Sequence, residues 1–313
     1  MFMRTIDRVR TLIVVTAAGV MLAGSPAFAV FTPGDLYYAS NQAPGNIYNL
    51  AGGGHMTGLT PFAVQGCGSL GQMAWSADLT TMYSTAYSCD TVFSISASGV
   101  ASSYASVLGP TGILWTHDDR LLVVSNMDGW VYDITNPSHP AVVASGMTSP
   151  RNIIQLPTGE ILVADTGSKK VWDISSGSLV PYASLPGPSY YVVDLDYTSD
   201  GRVFATHDTQ VYEVTGGTAQ LFAWSQAHLM GLAIDRSTDQ IFAAPLGNYY
   251  VLDITAGGYV SSPGHDWAYS IPGSNNAALD FVPYPSVPVP GALLLGVVGF
   301  LGVARGRLRR RTM

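Results

Sequence analysis

The residues best suited to chemistry in this chain are two histidines and an aspartate, His207, Asp208 and His228. A histidine beside a carboxylate can form a catalytic pair, because imidazole exchanges protons near neutral pH and a carboxylate can orient it. The same side chains can bind metal ions, but their spacing matches no metal motif such as His-Glu-x-x-His. A structural or incidental role is therefore the interpretation that the spacing favours.

Other chemical motifs are weak. The segment Asp194-x-Asp196-x-x-x-Asp200-Gly201 has the alternating aspartates of a calcium loop but lacks its third acidic position and its terminal glutamate. A strand followed by a turn explains it better. The sequence contains no Gly-x-Ser-x-Gly nucleophile elbow, Walker motif or dinucleotide fingerprint.

The elements that must position these residues come from an internal repeat. A four-residue motif (apolar, mostly aromatic, polar or acidic, apolar) begins at six positions spaced 45, 39, 40, 40 and 40 residues apart. These positions are Ile47, Val92, Val131, Val171, Val211 and Val251. In most repeats an apolar run, a polar turn and a second apolar run precede the motif, which is typical of short antiparallel strands.

Four short strands per repeat of about 40 residues predict a β-propeller blade. Five repeats are continuous, and fragments near 35–48 and 277–281 supply complementary strands of a sixth. We therefore predict an all-β, six-bladed propeller over residues 30–283, closed by one shared blade. Such a ring has no open edge, unlike an open solenoid or a sandwich.

Loops before the first strand and after the second strand of each blade meet at one end of a propeller, where ligands usually bind. Asparagine and aspartate are also ordinary turn residues, so each candidate has a structural alternative. The candidate ligand-binding residues are Arg151, Asn152, Tyr190, Tyr191, His228, Asn126, Asp128, Asp165, His207 and Asp208. Four acids 40 residues apart should share a structural role, namely Asp133, Asp173, Glu213 and Asp253.

The only two cysteines, Cys67 and Cys89, fall on the same side of one predicted blade. In an exported protein an even cysteine count favours a disulfide, with two buried thiols as the alternative.

Composition and charge exclude several classes of protein. Only 11% of the 313 residues are charged, which excludes a disordered chain and also a nucleic-acid-binding protein, since the latter needs a basic face. Three basic residues lie before residue 30 and five lie after 290, so the body between carries six basic and 20 acidic residues, a net charge of −14. Such a surface repels anionic polymers unless cations bridge them.

Both ends read as targeting signals. Residues 1–29 combine a basic start, an apolar stretch and the small-x-small site Ala27-Phe28-Ala29, so we predict a cleaved signal helix and a mature chain from Val30. Residues 284–313 contain Val287-Pro288-Val289-Pro290, an apolar stretch that predicts a short transmembrane helix, and five arginines. The arginines are Arg305, Arg307, Arg309, Arg310 and Arg311.

This tail resembles the PEP-CTERM sorting signal, with Val289 in place of the central glutamate. The resemblance implies an exosortase-like processing enzyme as partner. It also implies transient attachment to the inner membrane, followed by display on the cell surface or release. A plain C-terminal anchor is the alternative.

The segment Ser149–Ile174, with Val163-Ala164-Asp165-Thr166-Gly167, resembles an NHL repeat, which implies a propeller that binds a ligand. From these resemblances we expect an exported envelope or matrix protein with a non-enzymatic binding role linked to exopolysaccharide, contacting a glycan or an envelope protein. No cofactor is then required. The alternative is a metal-dependent hydrolase similar to the gluconolactonase family, which implies calcium near the axis. That family uses a glutamate early in the domain, and here none precedes Glu160.

Overall fold

The computed structural model describes residues 29–40, 43–68, 70–187, 192–248, 250–262, 264–269, 271 and 277–284. Six sheets form a ring, each built on four antiparallel strands, which confirms the all-β, six-bladed propeller. The predicted signal helix and the predicted transmembrane helix lie outside the described residues. In the part of the chain that is described, no helix is long and apolar enough to cross a membrane.

Each blade runs from an inner strand at the axis to an outer strand at the rim. Blade 1 contains β5 (Leu70–Trp75), β6 (Thr81–Ala86), β7 (Thr91–Ser96) and β8 (Ala101–Ser106). Blade 2 contains β9 (Pro110–Trp115), β10 (Leu121–Ser125), β11 (Trp130–Asp133) and β12 (Ala141–Ala144). Blade 3 contains β13 (Pro150–Gln155), β14 (Ile161–Asp165), β15 (Lys170–Asp173) and β16 (Val180–Ser184).

The second half of the ring follows the same order. Blade 4 contains β17 (Val192–Tyr197), β18 (Val203–His207), β19 (Gln210–Glu213) and β20 (Gln220–Trp224). Blade 5 contains β21 (Leu229–Asp235), β22 (Gln240–Pro245), β23 (Tyr250–Asp253) and β25 (Asp266–Tyr269). Blade 6 contains β26 (Ala277–Phe281), β1 (Leu36–Ser40), β2 (Asn46–Asn49) and β4 (Ala63–Val64).

The predicted shared blade is confirmed. The inner strand β26 comes from the end of the propeller sequence and pairs antiparallel with β1 from its start, from Leu36 opposite Phe281 to Ser40 opposite Ala277. Because these two strands join distant parts of the chain, the ring closes through hydrogen bonds as well as through packing.

The repeated motif forms the third strand of every blade, as predicted. Its first residue is fully buried in all six copies, where it contributes to the apolar clusters between sheets. The acid of the motif closes the turn that follows: Asp133 accepts the backbone N–H of Thr135 at 2.9 Å, and the Thr135 hydroxyl accepts the N–H of Leu121. Equivalent bonds recur at Asp173 and Asp253, and Glu213 accepts the Thr215 hydroxyl in place of its N–H, which confirms the structural role of these acids.

Neighbouring blades are also joined at the rim, a feature the sequence did not reveal. Glycines with positive φ in the turns between third and fourth strands lie against backbone carbonyls of the preceding blade. Gly99 lies against Phe62, and Gly217 lies against Tyr182. Two short strands, β3 (Gly54–His55) and β24 (Gly258–Tyr259), add parallel fifth strands to blades 5 and 4.

Candidate functional site

The histidine and aspartate that form a pair are His228 and Asp208, at the end of the propeller that carries the loops entering inner strands. Asp208 directly follows β18 and has a left-handed φ of 60°, which turns its side chain away from the strand direction. His228 directly precedes β21 in the next blade. The Nδ1 atom of His228 contacts the Oδ1 atom of Asp208.

The backbone fixes this pair. The N–H of Leu229 donates to the Asp208 carbonyl at 2.7 Å, and the N–H of Leu246 donates to the His228 carbonyl at 2.7 Å. The loop that carries His228 is therefore bonded to the turns that end the second strands of blades 4 and 5. Such bonds hold the imidazole and the carboxylate in register without help from a ligand.

The pair is accessible, since the His228 side chain is 51% exposed and the Asp208 side chain is 29% exposed. A carboxylate on Nδ1 selects the imidazole tautomer and orients the ring, so Nε2 is the nitrogen suited to exchange a proton with a bound molecule. The arrangement is thus suited to general acid–base chemistry on a molecule bound at this end of the ring.

His207, adjacent to Asp208 in sequence, does not belong to this pair. Its side chain is buried as the last residue of β18, with its ring packed edge-on to Tyr212 at 6.1 Å between centroids. Its position inside the blade assigns it a structural role, as the sequence had favoured for the histidines in general.

Asp165 is a structural centre. It is fully buried and accepts hydrogen bonds from the backbone N–H groups of Thr148, Ser149 and Gly167, the Ser168 hydroxyl and the Trp172 indole, at 2.7–3.2 Å. Burial raises the pKa of this carboxyl, but the bonds from Ser168 and the backbone outweigh it and leave the pKa below its ordinary value. These five donors occupy the carboxylate of Asp165, which the sequence had indicated as a candidate ligand contact.

The other candidates divide between the loop-bearing end and the blade interior. The Asn126 amide donates to Ser149 Oγ and to the Pro150 carbonyl, while exposed Asp128 accepts the Tyr132 hydroxyl at 2.9 Å. Arg151 is half-buried at the start of β13. Tyr190 and Tyr191 lie outside the described residues.

Asn152 belongs to a polar network at the axis that the sequence did not predict. Inner strands have a sheet partner on one side only, so their channel-side N–H groups need other acceptors. Asp194 accepts the N–H of Leu232 at 2.7 Å and contacts the Asn152 amide, so it connects blade 4 to blades 5 and 3. Asp280 likewise accepts the N–H of Met73 at 2.8 Å.

Two more axial side chains complete this network. Asp196 accepts the N–H of Ile234 and forms an ion pair with Arg236, while Gln72 accepts the N–H of Ile113. Burial raises the pKa of Asp194 well above its usual value, and the negative charge of Asp196 adds to the effect. Burial and the negative charge of Asp194 likewise raise the pKa of Asp280 well above its usual value.

These axial residues do not fit a calcium ion. Calcium takes six to eight oxygen ligands, whereas both Asp194 oxygens already accept hydrogen bonds from Leu232, Leu195 and Asn152. Among the residues that the structure describes, no group of three or more His, Cys, Asp or Glu side chains is arranged to hold a metal ion. Asp194 and Asp196 lie on strand β17 and Asp200 lies in the turn after it, as the sequence predicted.

The predicted disulfide joins Cys67 to Cys89, with Cα atoms 6.2 Å apart. It ties the loop before blade 1 to the turn after β6, at the same end of the propeller as His228.

The sequence matches no family model, and no curated protein is significantly similar to it. Solved structures are similar in fold. A catalytically inactive histidine-to-alanine variant of virginiamycin B lyase from Staphylococcus aureus, with quinupristin, aligns at TM-score 0.55 and 11% identity, over 79% of this chain and 89% of that one. A candidate gluconolactonase aligns at TM-score 0.54 and 12% identity, over 67% and 80% of the chains. A streptogramin B lyase aligns at TM-score 0.53 and 11% identity, over 76% of this chain and 75% of that one.

The preferred interpretation of the chain as a non-enzymatic, exopolysaccharide-linked binding protein is wrong. It depended on treating the propeller body as a binding module, whereas the similar solved propellers are described as a gluconolactonase and as lyases. At 11–14% identity this similarity shows the fold alone.

Proposed function

We propose that this chain is a hydrolase that opens cyclic esters at the loop-bearing end of the propeller. The observation that carries the proposal is the contact between His228 and Asp208, held by the backbone of two blades and accessible from that end. The fold similarity to a candidate gluconolactonase supports the substrate class. A histidine is also the residue replaced in the catalytically inactive lyase variant of similar fold.

In this mechanism His228 accepts a proton from water while the water oxygen attacks the ester carbonyl carbon. Asp208 orients the imidazole and stabilises the imidazolium that forms. The ring C–O bond then breaks, and the imidazolium returns the proton to the departing alkoxide. The product is one hydroxy acid that contains the oxygen of the attacking water, and the enzyme regains its starting protonation state.

Calcium has no step in this mechanism, because the axial residues do not fit the ion. Asp194, Asp196 and Asp280 instead satisfy the backbone of neighbouring inner strands. Their role is to hold the ring together beneath the site.

The reaction class is tested by turnover of a panel of γ- and δ-lactones by the purified full chain in H₂¹⁸O. Hydrolysis predicts a hydroxy acid with one ¹⁸O atom in its new carboxylate, measured by mass spectrometry. An unsaturated product without ¹⁸O would show that the ring opens by elimination and would refute the hydrolytic mechanism. No ring opening across the panel would refute the substrate class.

We propose as well that the enzyme is exported, through a signal peptide cut after Ala29 and a PEP-CTERM-like tail processed by an exosortase-like enzyme. The disulfide supports an oxidising compartment. Ala29 and Val30 are exposed whereas Phe31 is buried and donates its N–H to the Leu79 carbonyl, so a cut there spares the core. N-terminal sequencing of the secreted protein should begin at Val30, and a start elsewhere would contradict this cleavage site.

A further inference from the structure

The loop-bearing end also carries a group of exposed apolar side chains between blades 1 and 2. Met127 is 59% exposed, Leu108 is 45% exposed and Trp130 is 38% exposed, while Tyr87 beside them is half-buried. We call these four residues the apolar patch. Large apolar side chains grouped in one place on a soluble surface often mark a binding site.

The patch is built on a fixed backbone. Gly109 lies between Met127 and Tyr87, so closely that a Cβ atom there would come within 2.8 Å of Met127 Cγ and 3.1 Å of the Tyr87 ring. The carboxylate of Asp90 accepts the Gly109 N–H at 2.8 Å, and the N–H of Asn126 donates to the Gly109 carbonyl at 2.9 Å. The side chains are therefore presented in place before any ligand arrives.

The charges around the patch limit what can bind. Its neighbours in sequence are the carboxylates Asp90 and Asp128, and the segments 87–90, 107–109 and 126–130 contain no lysine or arginine. An anionic group would be repelled there. An uncharged apolar group, in contrast, gains free energy by covering Met127, Leu108 and Trp130.

The patch lies at the same end of the propeller as the proposed catalytic pair, on the opposite side of the ring. In a ring of six blades, blade 2 lies opposite blade 5, whose first inner-strand residue follows His228. A molecule with its ester ring at His228 therefore needs an apolar arm that crosses the mouth of the ring to cover this patch.

We propose that the apolar patch binds an uncharged alkyl or aromatic arm of the cyclic ester, so that the substrates are lactones with a long hydrophobic substituent. This inference rests on the proposed function. It adds a specificity site in blades 1 and 2 to a reaction carried out in blades 4 and 5.

The test compares γ-lactones that carry no alkyl chain or chains of four, eight and twelve carbons. In the wild-type full chain, kcat/KM should rise more than about tenfold from the unsubstituted to the twelve-carbon lactone, since each buried CH₂ contributes about fourfold. Met127→Ser should lower that ratio by about threefold or more, because it removes apolar contact. The matched control is Leu221→Ser, at a 50% exposed leucine on the outer strand β20, which should keep the wild-type ratio.

A binding measurement separates this inference from the proposed function. The His228→Ala variant, which leaves the lactone intact, is titrated with the twelve-carbon lactone by calorimetry, with and without Met127→Ser. Weaker binding by about threefold or more in the double variant supports the patch even where the wild type shows no turnover. Equal binding, or a chain-length ratio unchanged by Met127→Ser in an active enzyme, overturns it. A dimer that Met127→Ser converts to a monomer, with that ratio unchanged, would assign the patch to self-association and also overturn it.

Discussion

Replacing Asp165 with alanine removes the acceptor on which one corner of blade 3 is built. Five donors converge on this carboxylate, from the backbone of residues 148, 149 and 167 and from the side chains of Ser168 and Trp172. In the variant these groups lose their shared partner in a place where the carboxylate itself has no exposed surface.

The size of the effect follows from that geometry. Each buried donor left without an acceptor costs about 1–3 kcal/mol, and water that enters the vacated space can satisfy some of them. The variant also avoids the cost of burying a charge. We therefore expect a net loss of about 3–5 kcal/mol in the free energy of unfolding, less than five unsatisfied donors would cost together.

The assay is urea unfolding of the wild type, Asp165→Ala and the control Asp128→Ala. Asp128 is exposed and accepts one hydrogen bond, from Tyr132, so its loss should cost less than about 1 kcal/mol. Because the pKa of Asp165 is lowered in the folded protein, its contribution is complete above the unfolded pKa of about 4 and decreases as pH falls through the folded pKa. An Asp165→Ala variant as stable as Asp128→Ala at pH 7 would refute this reasoning.

Three further predictions concern the ring. Burial raises the pKa of Asp280 well above its ordinary value, so the contribution of Asp280 to stability falls as the pH rises above about 4. The Asp280→Asn variant should therefore lose less Tm between pH 5 and pH 9 than the wild type. A decline of Tm that runs parallel in the two proteins would contradict this. Gly99→Ala should lower the free energy of unfolding by about 2–4 kcal/mol in urea titrations, because residue 99 has a φ of 82° and the new Cβ would collide with the Phe62 carbonyl. A variant as stable as the wild type would show that the blades are not joined there. Cys67→Ser should cost about 3 kcal/mol in the same titrations, and reduced wild type should match it, since both lack the bond to Cys89.

Much of the fold was predictable because it depends on local, repeated patterns. A β-branched residue such as Val171 recurs every 40 residues because each blade buries the same position against its neighbour. The shared blade was predictable too, because the strand near residue 36 and the strand near residue 279 each belonged to an incomplete repeat. Each fragment supplies what the other lacks. The glycine contacts at the rim were not, because a glycine in a turn gives no indication of the carbonyl it approaches.

The candidate site was harder to predict, because its contacts join residues that periodicity does not relate. Asp208 and His228 are 20 positions apart and meet only because two loops of adjacent blades are bonded together. The function of Asp194 depends on an N–H group in the next blade, which only the closed ring supplies. One signal was present in the sequence: Asp194 and Asp196 occupy an inner strand where the other repeats have mostly apolar residues or glycine.

The central claim is that His228 carries out the ring opening, and the most direct test is the kcat of His228→Ala on a lactone that the wild type turns over. Loss of a general acid–base group should lower kcat by about 10²–10⁴. His139→Ala, an exposed histidine in a turn of blade 2, should retain wild-type kcat. A His228→Ala variant that opens the lactone at the wild-type rate would contradict a catalytic role for the pair.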